Sequence, residues 1–405
     1  MKKAIVLGGT FPHRILIQKL KDRGYYTILV DYYEAPIAKE IADKHIQAST
    51  LDRDEVVRIA KEEGAELVIS SCVDQANVTA CYVGEKLGLP HPYTYETSLN
   101  VTDKVAMKKI MVANNIPTSK YYIINTLQEF RESSLTYPII VKPADSNSSK
   151  GVRKLEKEEP NKELYIQQAL ELSRNGAAVV EEYKVGKEIG VDCIIKNHKA
   201  YIIMTRERRK IQSHNDAIQQ IYGSLWPADV TPVQLENLRI IAEKIGNAFN
   251  INNSPLMLQT IVSNSNINVI EFGARIGGGE NYHIIEELTG YDIIEQSIKS
   301  FVGEEIDLTH HDACEYLADN YIYIKSGSFG EMKIDDCVKN DILYSNVYRK
   351  AGAKVGSDIS SNNRVGVFVV KAKTTDEILK KIKNIVDHMD VFNTDGKSVM
   401  RKDIY

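Results

Sequence analysis

A lysine at the end of an apolar segment, followed by small polar residues, is the sequence feature with the clearest chemical meaning. The stretch YPIIVKPADSNSSKGV, residues 137–152, has the alternating and apolar character of a buried strand that ends at Lys142. An ammonium group neutralises phosphate charge, and backbone N–H groups and hydroxyls surround phosphate oxygens. We therefore predict a triphosphate site here. The alternative is a polar hairpin turn with a surface lysine. The P-loop pattern GxxxxGK[ST] is absent.

A second apolar strand, in AVVEEYKVGKEIGVD, ends in acidic residues. Glu181, Glu182 and Tyr183 close the strand, and Glu188 opens the next one after a turn at Gly186. An extended segment of this kind can bind a purine base through its backbone, while a carboxylate accepts hydrogen bonds from both ribose hydroxyls. The alternative is that these acidic residues form an exposed strand edge.

Two oxygen-bearing side chains on neighbouring apolar strands predict a metal site. Gln259, in LMLQTIV, and Glu271, in INVIEFGARIGGGENY, are twelve residues apart, a spacing that fits a hairpin. Mg²⁺ takes one or two protein oxygens together with phosphate oxygens and water. Arg275 is placed to stabilise a phosphoryl group in transfer, and Gly278 and Gly279 precede a helix whose N-terminus suits an anion. A polar residue satisfied within its strand is the alternative for Gln259.

A short basic segment is a further candidate for substrate binding. Arg206, Arg208, Arg209 and Lys210 follow a strand pattern and carry the main local concentration of positive charge. We interpret Arg206, Arg208 and Lys210 as possible ligands of a substrate carboxylate or phosphate. A solvated strand end explains the same residues without a ligand.

Composition excludes several classes of protein. The chain has 405 residues, 43% hydrophobic and 26% charged, with a net charge of −4. It lacks the basic character expected for a nucleic acid or an anionic membrane as partner. The five cysteines are scattered without a CxxC pair, which argues against a zinc site or a disulfide framework. With no apolar stretch of about 18 residues, a reduced cytoplasmic protein is expected.

Alternating strand and helix patterns predict several domains of mixed α/β and α+β class. Residues 1–95 are predicted to form a parallel α/β domain of Rossmann type, in which ligands lie beyond the carboxyl ends of strands. LGGTFPH near the N-terminus lacks the third glycine of a dinucleotide loop, so a tight turn or part of an acceptor-substrate pocket is favoured there. One helix is predicted from about Ser98 to Asn114. The remaining predicted units are a linker helix (96–118), a small α+β lid (119–183), a central antiparallel-sheet unit (184–310) and a C-terminal α+β unit (311–405).

Taken together and in this order, the motifs resemble the ATP-grasp superfamily. The resemblance covers roughly residues 1–310 and is nearest to carbamoyl phosphate synthase large chains, biotin carboxylases and L-amino acid ligases. It implies ATP and Mg²⁺ as cofactors, with Mn²⁺ as an alternative metal. The segment TDKVAMKKIM resembles a helix of the family that places Lys104 near the phosphates. The nucleotide contacts implied are Lys104, Lys142, Asp145, Ser146, Ser148, Ser149, Lys150, Gly151, Glu181, Glu182, Tyr183, Lys184 and Glu188.

The same resemblance assigns roles to the third motif. IEFGAR is similar to the family pattern E-x-N-P-R, which makes Glu271 the bridging magnesium ligand, Gln259 the first metal ligand and Arg275, with Lys142, catalytic. The sequence departs from the pattern at Gly273 and Ala274, where the family has asparagine and proline. Since that asparagine commonly binds a second magnesium ion, the number of metals is left open.

The function implied is a ligase that activates a small carboxylate as an acyl phosphate and joins it to an amine. Phosphoribosylamine–glycine ligase is an alternative, although GGTFPHR does not match its usual GGGxREHA loop. An amino-acid or dipeptide ligase fits GARIGGGENYH better. Two alternatives come from other functional classes. They are an ATP-binding sensor without turnover and a nicotinamide dehydrogenase. By analogy, residues 311–405 are expected to complete the active-site wall and to contribute to a homodimer.

Overall fold

The N-terminal unit is a parallel sheet covered by helices. A computed structural model of the chain describes residues 2–145, 151–211, 220–264, 266–356 and 363–405, so the predicted phosphate-loop residues Ser146, Ser148, Ser149 and Lys150 lie outside the described residues. The sheet has the order β3-β2-β1-β4, with parallel pairing throughout. Its elements are β1 (Lys3–Leu7), α1 (Phe11–Asp22), β2 (Tyr26–Asp31), β3 (Lys44–Gln47), α2 (Arg53–Glu63), β4 (Leu67–Ile69) and α3 (Asp74–Leu87), with a 3₁₀ turn at Ile37–Glu40.

Two short helices connect this unit to the next. They are α4 (Tyr95–Asn100) and α5 (Lys104–Ala113), so the prediction of one helix from Ser98 to Asn114 was wrong. The predicted helix is interrupted because Asp103 caps the start of α5. Its carboxylate accepts hydrogen bonds from the N–H groups of Val105 and Ala106. The break places Lys104 at the N-terminus of α5, where its own N–H donates to the carbonyl of Ala144.

The second unit is a four-stranded antiparallel sheet with the order β5-β8-β6-β7. One face of its strands packs on two helices around Ile139, Val141 and Val180, all fully buried. Its elements are β5 (Tyr121–Ile124), α6 (Leu127–Glu132), β6 (Ile139–Pro143), β7 (Arg153–Leu155), α7 (Lys162–Leu172) and β8 (Ala178–Glu182). The sheet thus holds Lys142 near the end of β6 and Glu181 near the end of β8.

An eight-stranded antiparallel sheet forms the centre, with the order β13-β12-β9-β10-β11-β14-β19-β17. Its central elements are β9 (Lys187–Lys196), β10 (Lys199–Lys210), β11 (Ile221–Trp226), α8 (Pro232–Ala248), β12 (Ser254–Val262), β13 (Ile267–Gly273), α9 (Asn281–Thr289) and α10 (Ile293–Val302). The C-terminal elements are β14 (Tyr316–Tyr323), β15 (Gly327–Ser328), β16 (Glu331–Ile334), β17 (Ile342–Val347), β18 (Lys354–Val355), β19 (Arg364–Ala372), α11 (Thr375–Asp387) and β20 (Met389–Phe392), with 3₁₀ turns at Asp336–Asp341 and Lys402–Ile404.

The C-terminal part continues the central sheet and also contains two separate two-stranded sheets, β15-β18 and β16-β20. β14, β19 and β17 extend the central sheet beyond β11, so no sheet boundary coincides with the predicted division at residue 310. The mixed architecture predicted from the sequence, with a parallel N-terminal sheet and a large antiparallel sheet, is confirmed. Among the helices of the described segments, none combines the length and the apolar character needed to cross a bilayer.

Candidate nucleotide and substrate site

A cleft lies between the four-stranded sheet and the β13–β10 edge of the eight-stranded sheet. It holds about 880 Å³ of space, counting the open solvent at its mouth. Both sheets contribute charged side chains that converge on it. The residues that line it are Lys104, Ser119, Ile140, Lys142, Val152, Glu181, Glu182, Tyr183, Lys184, Glu188, Arg208, Lys210, Ile221, Gln259, Ile261, Asn268, Ile270 and Glu271.

Two buried lysines share one carboxylate at the inner end of the cleft. The Nζ atom of Lys142 donates to Glu181 Oε1 at 2.6 Å, and the Nζ atom of Lys108 lies 2.7 Å from Glu181 Oε2. Burial opposes ionisation of Glu181, but the two ammonium groups prevail and lower its pKa to about 2. Burial and the nearby Lys142 lower the pKa of Lys108 in spite of Glu181. The two lysines and one glutamate together carry an excess of positive charge, which phosphate oxygens can neutralise.

Replacing Glu181 by glutamine is expected to destabilise the protein in a pH-dependent way. The pKa of Glu181 falls from 4.5 to about 2 on folding, so its stabilisation is complete above pH 4.5 and is lost as pH falls toward 2. The shift corresponds to about 3 kcal/mol at neutral pH. Urea unfolding should therefore give the wild type a much larger free energy of unfolding than the variant at pH 7. This difference should be smaller at pH 3. Glu163→Gln, which removes an exposed partner of Arg131, is the control and should show little change at either pH.

The predicted metal ligands face each other across one strand pair. Gln259 of β12 is the register partner of Glu271 of β13, as the predicted hairpin requires. Both side chains reach the cleft, where Lys104 Nζ lies 3.8 Å from Glu271 Oε2. Among the described residues no group of three acidic, histidine or cysteine side chains converges on a metal position. One carboxylate and one amide oxygen nevertheless suit Mg²⁺ when a triphosphate supplies further oxygens.

Glu188 lines the cleft together with two cations of β10. Its Oε2 lies 2.8 Å from Lys210 Nζ, and its Oε1 lies 3.5 Å from Arg208 Nη1. Burial alone would raise the pKa of Glu188, but the two cations lower it, so the carboxylate is ionised. An ionised carboxylate can accept the ribose hydroxyls predicted for it, and Arg208 and Lys210 lie close enough to reach phosphate oxygens or a substrate.

The hinge between the two sheets lines the cleft with Glu182, Tyr183 and Lys184. The N–H of Glu182 donates to the carbonyl of Lys120, and the N–H of Tyr183 donates to the carbonyl of Pro138. The N–H groups of Glu182 and Tyr183 therefore already have hydrogen-bond acceptors within the protein. Any adenine contact at the hinge must use backbone groups other than these two N–H groups.

Arg275 lies outside the lining of the cleft, against the N-terminal unit. Its guanidinium makes a two-pronged hydrogen bond to Asp74 of α3, with distances of 2.8 and 2.7 Å. Burial opposes the charged form, but Asp74 holds the pKa of Arg275 above its usual value. The same carboxylate explains the departure at Gly273, because a Cβ atom there would lie 2.9 Å from Asp74 Oδ1. An asparagine at this position would require the Asp74 carboxylate to shift from its place beside Arg275.

Arg206 does not line the cleft, unlike Arg208 and Lys210, which follow it on β10. It is 5% exposed, forms a buried ion pair with Asp192 and stacks on the Trp226 ring at 4.9 Å. Burial raises the pKa of Asp192 in spite of this partner. With its amide oxygen turned toward Arg206, Asn281 accepts two further hydrogen bonds at 3.1 Å. The structure thus gives Arg206 a packing role and does not bring it into the cleft.

Replacing Asp192 by alanine is expected to destabilise the fold by about 3–5 kcal/mol, because Arg206 is left buried without its counter-charge. Chemical denaturation at pH 7 measures this loss. Glu236→Ala, which removes one exposed partner of Arg239 on α8, is the matched control and should change stability little. Equal effects of the two substitutions would contradict the structural role of the Asp192–Arg206 pair.

The remaining predicted residues lie beside the cleft. Asp145 accepts hydrogen bonds from Ser173 and from the backbone and side chain of Arg174, so it connects the residues after β6 to those after α7. Gly151 has a φ of 75°, and a Cβ there would lie 2.8 Å from Leu172. Gly278 and Gly279 are exposed and lie toward Cys72 and Tyr321 respectively, away from the residues that line the cleft.

Four residues in or next to the site were not predicted from the sequence. They are Lys108, Ser119, Asn268 and Asp74. Lys108 follows Lys104 by four residues in a helix, so the two side chains share a face, which was an available signal. Asp74 is separated from Arg275 by 201 residues, and no local pattern connects them.

Comparison with known proteins shows which domain family and which folds the chain is similar to. Residues 135–282 match the ATP-grasp domain family, a segment that runs from the Lys142 strand to the start of α9. The chain is 22% identical over 299 residues to the multifunctional protein ura1 of Schizosaccharomyces pombe, covering 72% of this chain and 13% of that protein. It spans between 13% and 48% of the length of the curated relatives that it matches.

Solved structures resemble the chain over nearly its whole length. An L-amino acid ligase from Bacillus licheniformis superposes with a TM-score of 0.80 at 17% identity, covering 97% of this chain and 99% of that one. A phosphoribosylglycinamide synthetase from Anaerococcus prevotii superposes with a TM-score of 0.76 at 20% identity, covering 97% and 100%. The chain therefore has the ATP-grasp fold and contains an ATP-grasp domain. Both proteins named here are ligases by their names, and the chain is similar to them in fold.

Proposed function

We propose that this protein joins a small carboxylate to an amine, using ATP and passing through an acyl phosphate. The observation that carries the proposal is the convergence of charge in one cleft. Lys104, Lys142, Arg208 and Lys210 approach it as cations, while Gln259 and Glu271 face each other as an oxygen-ligand pair. Such an arrangement suits a nucleotide triphosphate whose terminal phosphate is transferred.

The reaction has two balanced steps. A carboxylate oxygen of the substrate attacks the γ-phosphorus of ATP, the bond to the β-phosphate oxygen breaks, and ADP leaves. The nitrogen of an amine then attacks the acyl carbon, phosphate leaves, and the amine loses a proton to give the amide. Phosphoryl transfer depends mainly on positioning and on neutralising charge, so no Ser–His or Cys–His pair is required. Lys142 and Lys104 would hold the phosphates and Glu188 the ribose.

Gln259 and Glu271 fit one Mg²⁺ ion, which would neutralise charge between the β- and γ-phosphates. Mn²⁺ is a chemical alternative, since it takes similar oxygen ligands. Asp74 fills the space in which the family's asparagine would lie, so we propose that any second metal relies on Glu271 and phosphate oxygens. Arg275 would orient the wall next to this metal through its pair with Asp74.

An amino acid is the substrate class we favour, and phosphoribosylamine with glycine is the second candidate. The similarity in fold to an L-amino acid ligase and to a phosphoribosylglycinamide synthetase supports both. The departure of GGTFPHR from the usual phosphoribosylamine loop favours the first. A cytoplasmic location and a homodimer remain predictions, and light scattering tests the homodimer.

ADP release from Mg-ATP tests this function. Amino acids, short carboxylic acids and phosphoribosylamine with glycine are supplied singly and in acid–amine pairs. The proposal expects strong ADP production with one pair and an amide product by mass spectrometry. ATP binding without turnover for every pair would favour an ATP-binding sensor, and ATP-independent activity with NAD would favour a dehydrogenase.

A further inference from the structure

Lys108 is a buried cation beside the nucleotide cleft that has no role in the proposed function. It lies on α5 one helical turn after Lys104, is 1% exposed and is not among the residues that line the cleft. Burying an ammonium group costs free energy unless opposite charge and hydrogen bonds compensate for it. An apolar side chain would fill the same space without that cost, so the charge of Lys108 calls for an explanation.

Two acceptors fix the position of the Lys108 ammonium group. Its Nζ atom donates to Thr118 Oγ1 at 2.5 Å and forms an ion pair of 2.7 Å with Glu181 Oε2. The Thr118 hydroxyl in turn donates to the carbonyl of Val269 at 3.0 Å, and Val269 lies in β13 two residues before Glu271. The ammonium group is therefore held between β13 of the eight-stranded sheet and β8 of the four-stranded sheet.

The Glu181 carboxylate is divided between Lys108 and Lys142. Lys142 Nζ donates to Oε1 at 2.6 Å, while Lys108 is paired with Oε2 of the same carboxylate. All three side chains are buried, so water and salt screen their charges little. Burial opposes ionisation of Glu181, but the two ammonium groups lower its pKa to about 2, so it is ionised at neutral pH. Two positive charges and one negative charge leave one net positive charge.

This net charge bears on the cleft because Lys142 lines it. An ammonium group has three N–H donors, and Glu181 takes one of those of Lys142, so donors remain for phosphate oxygens. Without Lys108, the Lys142 ammonium and the Glu181 carboxylate would form a neutral pair. A neutral pair attracts phosphate oxygens less than a net positive charge does, and the difference is largest where water is excluded.

We propose that Lys108 is a positioning residue for phosphate binding: it holds one oxygen of Glu181, so that Lys142 keeps its positive charge and its remaining donors for the phosphates of ATP. This inference rests on the proposed ATP-dependent function and adds to it a residue that does not touch the ligand. Lys108 acts through Glu181 and Lys142.

Binding of Mg-ATP, measured by calorimetry without any acid or amine substrate, tests this role. Lys108→Met keeps the length and the apolar stem of the side chain but removes its charge. Its affinity for Mg-ATP should be about 10- to 100-fold weaker than that of the wild type, the range for one hydrogen bond to a charged group. Lys109→Met, at the exposed neighbouring position of α5, is the control and should bind as the wild type does. Wild-type affinity of a folded Lys108→Met would overturn the proposal.

A second substitution separates the shared carboxylate from lost packing. Combining Lys108→Met with Glu181→Gln leaves Lys142 as the one charge of the three, which restores the net positive charge. The double variant should therefore bind Mg-ATP about 10-fold more tightly than Lys108→Met alone. If it binds as weakly as Lys108→Met or more weakly, altered packing around α5 explains the loss and the proposal is contradicted.

A neutral polar variant covers the case in which Lys108→Met does not fold, as judged by its melting temperature. Lys108→Gln then takes its place in both comparisons, because an amide still donates to Glu181 although the charge is lost. Affinity weaker than that of the wild type, recovered by adding Glu181→Gln, supports the role of Lys108. Wild-type affinity of Lys108→Gln contradicts it.

The binding measurement also separates this proposal from the ligase. No ADP release with any acid–amine pair, together with the expected changes in affinity for Mg-ATP, would contradict the ligase and support the role of Lys108. Turnover by the wild type, together with equal affinity of the wild type and Lys108→Met, would contradict the role of Lys108 alone. No binding of Mg-ATP to the wild type would contradict both.

Discussion

Replacing Glu271 by glutamine should lower ATP-dependent turnover by at least about 1,000-fold, since metal stabilisation of phosphoryl transfer is worth several kcal/mol and 1.4 kcal/mol is tenfold. Glutamine keeps the length of the side chain but removes its charge opposite Gln259. Steady-state ADP release at saturating ATP measures the effect. Raising the Mg²⁺ concentration should recover part of the activity, because the remaining amide and phosphate oxygens still bind the ion weakly.

The control for this variant is Glu243→Gln on α8, which removes an exposed partner of Arg239 and should leave turnover unchanged. Both variants should retain the wild-type melting temperature within a few degrees. Near-normal turnover of Glu271→Gln, without any change in Mg²⁺ dependence, would show that the metal lies elsewhere.

Replacing Lys142 by methionine should lower turnover about 100- to 1,000-fold, the range for removing one donor that stabilises developing charge. The side chain is 5% exposed, and Glu181 holds it at the end of β6, so its ammonium group is fixed before ATP binds. Methionine preserves the length and the apolar stem. Both the KM for ATP and kcat should change, because the lysine contacts phosphate in the ground state and in the transition state.

Lys120→Met is the matched control for Lys142→Met. Lys120 belongs to the same small unit, but its Nζ atom is exposed and donates to the carbonyl of Ser134. This variant should keep both kinetic constants. If the two variants behave alike, Lys142 is a structural counter-charge of Glu181 and makes no direct phosphate contact.

The strand patterns in the sequence were sufficient to predict those cleft-lining residues that belong to β-strands. Lys142 and Glu271 lie near the ends of apolar strands and Gln259 lies within one. A two-residue period fixes the face on which such a side chain lies. The pairing of Gln259 with Glu271 followed from a short hairpin, whose register depends only on local spacing. The helix at Lys104 was predicted with wrong limits, because the cap at Asp103 competes with a continuous apolar pattern.

Partners that are distant in the chain could not be predicted. Arg206, Arg208 and Lys210 alternate along one face of β10, and nothing in their spacing distinguishes them. Their partners differ because Arg206 meets Asp192 in the middle of β9, whereas Arg208 and Lys210 meet Glu188 near the start of the same strand. Likewise, only the tertiary structure shows that Arg275 is paired with Asp74 and that a Cβ atom at Gly273 would lie 2.9 Å from the Asp74 carboxylate. Buried charge depends on such tertiary neighbours, which sequence patterns do not encode.

The acyl phosphate is the central claim, and transfer of isotopic oxygen tests it most directly. The acid that supports ADP release is supplied with ¹⁸O in its carboxylate, together with its amine and Mg-ATP, and the released phosphate is analysed by mass spectrometry. If the carboxylate attacks the γ-phosphorus, one ¹⁸O atom appears in the phosphate for each amide formed. Phosphate without ¹⁸O, while the amide is still produced, would show that the carboxylate is not phosphorylated and would contradict the mechanism.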